Sequence, residues 1–155
     1  MKEITGNIWE AHELGHWVVI TTNGIVNSRG RAVMGRGVAL QAALRFPALA
    51  LDLGERLRRH GNWLHWFPPY RIVTFPVKEH WRDQASFGLI ARSAKELSVW
   101  LDQVTSEPLG PALLTPIRPP IFLVRPGCGN GGLDWSQVKP MIEPLLDNRF
   151  VVVER

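Results

Sequence analysis

The sequence predicts an α/β fold, a three-layer α/β/α sandwich around a mixed, mostly parallel central sheet. Three observations predict it. Short continuous apolar runs, among them Val18-Val19-Ile20, Ile121-Phe122-Leu123-Val124 and Phe150-Val151-Val152-Val153, suit interior strands covered on both faces. Stretches with helical periodicity alternate with these runs, the pattern of crossover connections in a parallel sheet. Two glycine-rich segments, at 33–41 and 125–135, each lie between an apolar strand and a helix, and ligands of such sheets bind beyond the carboxyl ends of strands.

In chain order, strands are expected at 4–5, 16–22, 63–67, 71–75, 121–124 and 150–153. A helix is expected over 37–45, ended or restarted by Pro47, which lacks an N–H and clashes with the preceding turn. The stretch 49–60 continues it, and Gly61 is placed to take the left-handed conformation that closes a helix. The clearest helix is 86–102: Ser86 is an N-cap, and Phe87, Ile90, Ala94, Leu97 and Leu101 recur on one face. A last helix is expected over 136–146, with Pro140 within its first turns, where proline costs least. Segment 103–120 holds Pro108, Pro111, Pro116, Pro119 and Pro120 and reads as an irregular connection. The chain reads as one domain over 1–155, without internal repeats.

Composition narrows the function classes. The chain is 45% hydrophobic with a formal net charge of +4. That charge suits an anionic ligand but is too small to argue for a duplex nucleic-acid binder. Cys128 is the single cysteine, so no internal disulfide forms, and a reducing cytoplasm is the expected location. No run of about 18 apolar residues and no apolar leader at residues 1–6 is present, so neither a membrane span nor a membrane partner is expected.

The glycine loops carry the chemistry. Glycine lets backbone N–H groups approach a ligand closely, and a helix N-terminus adds unpaired donors and a positive dipole end. Two such loops from separate strand–helix units would grip two phosphates, or a diphosphate and its sugar. Neither is a Walker A loop or a full dinucleotide fingerprint. Asn23 follows an apolar strand and has two readings: a ribose ligand, or a turn with Gly24. Asn27 is a weaker candidate for the ribose role. Lys78 lies in Phe75-Pro76-Val77-Lys78-Glu79-His80-Trp81, just past a strand. It is either a nucleophile at the cleft or a solvated surface lysine. His80 is a general base or a surface ring. Cys128 lacks any cysteine–histidine signature and reads as a small side chain packed among glycines. The histidines show no metal-ligand spacing, and no metal or cofactor is expected.

Taken in order, Gly6-Asn7-Ile8, Thr21-Thr22-Asn23-Gly24, residues 33–41, residues 75–81 and residues 127–135 resemble a macrodomain over nearly the whole chain. The resemblance is to the branch containing terminal ADP-ribose protein glycohydrolase and the antitoxins that remove ADP-ribose from DNA bases. It implies the α/β/α fold, ADP-ribose binding and, often, hydrolysis of ADP-ribosyl linkages. Lys78 matches the family's catalytic lysine. Asn7 and Ile8 match its adenine-side segment, and Asn23 its distal-ribose asparagine. Gly35, Arg36 and Gly37 match its first substrate loop, and Gly127, Cys128, Gly129, Asn130 and Gly131 its diphosphate loop. Gly131 stands where the protein glycohydrolase has an aspartate and the DNA-base antitoxins a glycine; Asp134 lies further along.

The expectation is therefore an ADP-ribosyl hydrolase with Lys78 as nucleophile, acting on Glu or Asp esters of ADP-ribosylated protein. The mild charge favours protein over nucleic acid as the substrate. The alternatives are a non-catalytic ADP-ribose reader, a hydrolase of ADP-ribosylated nucleic-acid bases and a phosphatase of ADP-ribose 1″-phosphate. The excursion at 25–32 is expected to lengthen the first loop.

Overall fold

The computed structural model describes residues 1–106 and 116–155. Its strands are β1 (Lys2–Thr5), β2 (Val18–Asn23), β3 (His65–Phe67), β4 (Ile72–Lys78), β5 (Ile121–Val124) and β6 (Phe150–Glu154). Its helices are α1 (Ile8–Glu13), α2 (Gly37–Arg45), α3 (Leu49–His60), α4 (Phe87–Ser106) and α5 (Trp135–Ile142). The strands form one six-stranded sheet in the order β1-β6-β5-β2-β4-β3. All neighbours are parallel except β3 and β4. This is the mixed, mostly parallel α/β architecture that the apolar runs predict.

Those runs are continuous because successive residues feed opposite cores. Val18 and Ile20 pack with α1, α2 and α3 through Trp9, Ala42, Leu49 and Leu53. Trp17 and Val19 point the other way, to α4 and α5, and join Ile90, Leu97, Trp100 and Ile142. With helices on both faces, the inner strands β2 and β4 bury nearly every side chain, whereas all four residues of the edge strand β1 are exposed. The one fully buried polar residue of β4, Thr74, donates its hydroxyl to His65 O at 3.3 Å.

Helices α2 and α3 and strand β5 have the expected bounds. Gly61 closes α3 at φ +88°, where only glycine is unstrained. Ser86 caps α4 by accepting from Leu89 N at 3.2 Å. Three helices differ from expectation. Helix α4 runs on to Ser106, because Val104 continues its buried face beyond Leu101; of the expected irregular connection, 107–115 lies outside the described residues. Helix α5 stops at Ile142, since Pro144 has no N–H to continue the ladder. Helix α1, six residues long, was not expected.

Strand β4 runs through Pro76 to Lys78 instead of ending at 75. Proline removes one ladder hydrogen bond, and the register slips at that level: Thr22 pairs with Pro76, but Asn23 pairs with Lys78. The slip amounts to a local bulge, which re-aims a side chain at a strand end. It sets Lys78 beside Asn23 at the carboxyl edge of the sheet.

Candidate functional site

Strands β5, β2 and β4 are neighbours, so the loops leaving their carboxyl ends converge although they are far apart in sequence. Together they line a cavity of about 880 Å³. That volume falls within the range of ligand pockets.

The first wall follows β2. Asn23 donates its Nδ2 to Val33 O at 3.0 Å and accepts from Ile25 N through Oδ1 at 3.0 Å. It lines the cavity and also clamps both ends of the excursion that follows. Its turn-forming role is thus realised in the protein's own hydrogen bonds. The excursion is a docked loop. Asn27 Oδ1 accepts from Arg29 N and Arg31 N, which places it outside the cavity lining. Ala32 N donates to Ala50 O of α3 at 2.8 Å, and Gly30 O lies where a Cβ on Gly54 would sit.

Gly35, Arg36 and Gly37 then lead into α2. No side chain caps this helix, whose N-cap is Arg36, and Gly37 has φ +58°. The first N–H groups of α2 therefore stay available, with the positive end of the helix dipole, at the cavity wall. Asn7, by contrast, is committed as the cap of α1, accepting from Trp9 N at 3.0 Å; Asn7 and Ile8 both line the cavity.

The second wall is the loop after β5. Gly127 and Gly132 both take φ +75°. The loop is tied down by Leu133 N to Gly127 O at 2.9 Å, Gly132 N to Gly129 O at 3.1 Å and Ala85 N to Gly131 O at 2.9 Å. Among the described residues, the N–H groups of Gly129, Asn130 and Gly131 donate to no backbone acceptor. All three residues line the cavity, and backbone donors left free in this way suit an anionic group. A Cβ at Gly131 would lie 2.7 Å from Gly127 Cα and 2.8 Å from Ala85 Cβ. No side chain fits there, so an acid/base residue at this position is sterically excluded. Asp134 starts α5 and does not line the cavity.

Cys128 departs from the expected binding set. Its side chain is half-buried against the α4–α5 core, and its thiol donates to Pro126 O at 3.4 Å. Burial pushes its pKa up, so the nucleophilic thiolate is disfavoured. The helix N-terminus of α5 also lies away from the cavity, because Trp135 donates Nε1 to Glu3 Oε1 at 2.8 Å.

Lys78 closes the site. It is half-buried at the end of β4, and its Nζ donates to Asn130 O at 3.2 Å and to Trp81 O at 3.4 Å. Asn62 Nδ2 holds its carbonyl at 3.0 Å. The amine therefore stands at the rim of the glycine-loop donors.

Several lining residues carry no motif of their own. Trp9 donates Nε1 to Gln41 Oε1 at 2.7 Å and lies under the Arg45 guanidinium at 4.6 Å. Arg125 pairs with Glu154 at 3.0 Å and covers Trp135 at 5.1 Å. Trp81, Arg82 and Asp83 sit at the mouth beside Lys78. Asp83 is the one acidic side chain among the described lining residues, against Arg36, Arg45, Lys78, Arg82, Arg125 and Arg155. Arg45 and Arg125 are already paired with Glu13 and Glu154, so Arg36, Lys78, Arg82 and Arg155 carry the excess positive charge at the cavity. Among the described residues, no group of three or more His, Cys, Asp or Glu side chains is arranged to hold a metal.

No family model matches the sequence. A DNA ADP-ribosyl glycohydrolase of Thermus aquaticus is 29% identical over 157 residues, covering 95% of this chain and 38% of that protein. The chain thus spans under two fifths of the length of this curated relative. The macrodomain of Thermus aquaticus DarG superposes with a TM-score of 0.73 at 27% identity, over 99% of this chain and 97% of that one. Thermosipho africanus DarTG, solved in complex with ADP-ribose, has a TM-score of 0.69 at 16% identity, over 97% of this chain and 40% of that one.

Proposed function

We propose that this chain, a macrodomain by fold, cleaves the bond between the anomeric carbon of an ADP-ribosyl group and its acceptor, with Lys78 as the nucleophile and a nucleic-acid base as the acceptor. The observation that carries the reading is the position of Lys78 Nζ, 3.2 Å from Asn130 O on the glycine loop. A diphosphate held by the free N–H groups of Gly129, Asn130 and Gly131 places its attached ribose against that amine. The uncapped start of α2 would hold the same anion from the opposite wall.

In the first step the lysine nitrogen forms a bond to the anomeric carbon, and the bond to the acceptor breaks. The electron pair leaves with the acceptor, which takes the proton given up by the lysine nitrogen. Water then adds at the same carbon and the amine departs, which releases ADP-ribose and restores Lys78. The loops orient the sugar before reaction, which makes the attack effectively unimolecular.

Two features favour a base over a carboxylate ester as the acceptor. Gly131 has no room for the aspartate that the protein glycohydrolase branch carries, and the relative similar over 95% of this chain is named for DNA. The ester remains a second proposal, carried by Lys78, because it presents the same anomeric carbon to the same amine.

The test uses a single-stranded oligonucleotide ADP-ribosylated on a base and a peptide ADP-ribosylated on glutamate. Wild type should release ADP-ribose from the oligonucleotide, and Lys78→Ala should not, while calorimetry finds ADP-ribose bound by both. The lysine adduct at the anomeric carbon opens its ribose ring to an imine, which cyanoborohydride should reduce and trap on wild type alone. Turnover by Lys78→Ala at the wild-type rate would remove the lysine mechanism. Release from the peptide alone would transfer the proposal to the ester, and binding without release from either would leave a reader of ADP-ribose.

A further inference from the structure

The turn after Lys78 presents three consecutive flat side chains to solvent at the mouth of the cavity. The His80 and Trp81 rings stack, with centroids 5.3 Å apart and planes 29° from parallel. The Arg82 guanidinium lies 4.7 Å from the centre of the Trp81 ring. Trp81 is 44% exposed and belongs to neither hydrophobic core. Its indole is a large apolar ring held half in water, packed on His80 and Arg82 and outside the buried cores.

The turn is built to hold this stack. Arg82 N donates to His80 Nδ1 at 3.1 Å, His80 N to Asp83 Oδ2 at 3.3 Å and Asp83 N to His80 O at 3.0 Å. Trp81 O accepts from Lys78 Nζ at 3.4 Å, so the stack begins one hydrogen bond from the amine. Trp81, Arg82 and Asp83 line the cavity, and so does Arg36 of the first loop. Among the described residues Arg36 and Arg82 form no ion pair.

We propose that the His80–Trp81–Arg82 stack is a base-stacking subsite that holds a nucleobase of single-stranded nucleic acid against the bond being cut, with Arg36 and Arg82 facing the flanking phosphates. This rests on the nucleic-acid reading of the site. Aromatic rings and guanidinium planes are the surfaces on which unpaired bases stack, and each stacked base adds affinity with little dependence on sequence. A base inside a duplex has both faces occupied and must be extruded before it meets such a surface. An acidic peptide would satisfy the two arginines but has no plane to match the rings.

The experiment measures four quantities for wild type, Trp81→Ala and Trp81→Phe. These are the Kd for ADP-ribose, the Kd for an unmodified single-stranded oligothymidylate, and KM and kcat for the base-ADP-ribosylated oligonucleotide. Trp81→Ala should weaken both oligonucleotide terms by about ten- to hundredfold, far beyond any change in ADP-ribose affinity. Trp81→Phe should restore most of the loss, because it restores a plane. Equal losses for ADP-ribose and oligonucleotide would overturn the proposal and make Trp81 a prop of the cavity. Oligonucleotide terms unchanged in Trp81→Ala, or binding of a blunt duplex as tight as that of the single strand, would also overturn it. Trp81-dependent binding without turnover would keep the subsite and discard the hydrolase reading. Turnover without Trp81 dependence would do the reverse.

Discussion

Asn130 lays its side-chain amide against the α-carbon of Gly37: a methyl group there would stand 2.7 Å from Nδ2. The two glycine loops, one from β2 and one from β5, therefore touch across the cavity. The Asn130 carbonyl also receives Lys78 Nζ. One residue thus couples both anion-binding walls to the amine.

Gly37→Ala should disturb this junction. The φ of +58° disfavours any side chain, and the methyl group would push the Asn130 amide aside. Because that amide is the end of a flexible side chain, the stability cost should be mainly the left-handed backbone strain, about 1–2 kcal/mol. ADP-ribose affinity should fall at least tenfold. Thermal unfolding and calorimetry on the same preparation separate the two effects, and an unchanged affinity would mean that the loops act independently.

Gly131→Ala and Gly129→Ala should part company. A methyl group at 131 meets the backbone of Gly127 and the side chain of Ala85, neither of which can yield. That variant should lose about 2 kcal/mol or more, in the manner of other overpacked sites, together with ADP-ribose binding. Nothing stands within 4 Å of a Cβ at Gly129, so Gly129→Ala should melt near the wild-type temperature and lose affinity alone. Equal melting temperatures for the two would refute the steric account of Gly131.

Ser93→Ala should reach the site from the core. The Ser93 hydroxyl, fully buried on α4, donates to Pro76 O at 2.7 Å. Removing it strips a buried carbonyl of that partner at a cost of about 1–3 kcal/mol. It also loosens the bulge that aims Lys78, two residues on. Denaturant unfolding should report the stability loss, and kcat should fall more than ADP-ribose affinity. A stable variant with full kcat would show that Pro76 is held by the ladder alone.

Acidification should weaken the fold well before its carboxylates titrate. Burial holds the pKa of His12 and of His65 below the ordinary value of 6.5, although each ring nitrogen Nε2 meets a carbonyl, Tyr70 O and Gly61 O respectively. Above that value both rings are neutral folded or unfolded, and stability is complete. Below it the unfolded chain takes up protons that the folded chain refuses, so stability falls as pH drops. Each ring contributes at most about 1.4 kcal/mol per pH unit. Melting temperature should therefore decline between pH 7.5 and pH 5.5, and His12→Gln, which keeps an N–H for Tyr70 O, should flatten the slope. Glu3 and Asp147, whose pKa values are lowered mainly by hydrogen bonds from Lys139 and Arg149, act only below their ordinary range. A flat profile over this window would mean that both rings accept protons in the folded state.

The sequence by itself determined what local chemistry controls. Helix α2, helix α3 with its Gly61 stop, and strand β5 keep their expected bounds because periodicity, proline and glycine act within a few residues. The second glycine loop was legible for the same reason, since it follows directly on β5, whereas Lys78 reads from spacing alone as either a nucleophile or a surface lysine and was singled out by the resemblance. Tertiary structure decided the rest. Helix α1 is too short to show a period. Pro76 reads as a strand end until a bulge against Thr22 and Asn23 absorbs its missing N–H. Whether Cys128 faces the cavity or the core, why position 131 admits only glycine, and that Trp81 and Arg82 stand at the mouth all follow from the order β5-β2-β4. That order brings loops distant in sequence into contact. A net charge and a motif state which groups are present, whereas their distances from one another exist only once the strands are paired.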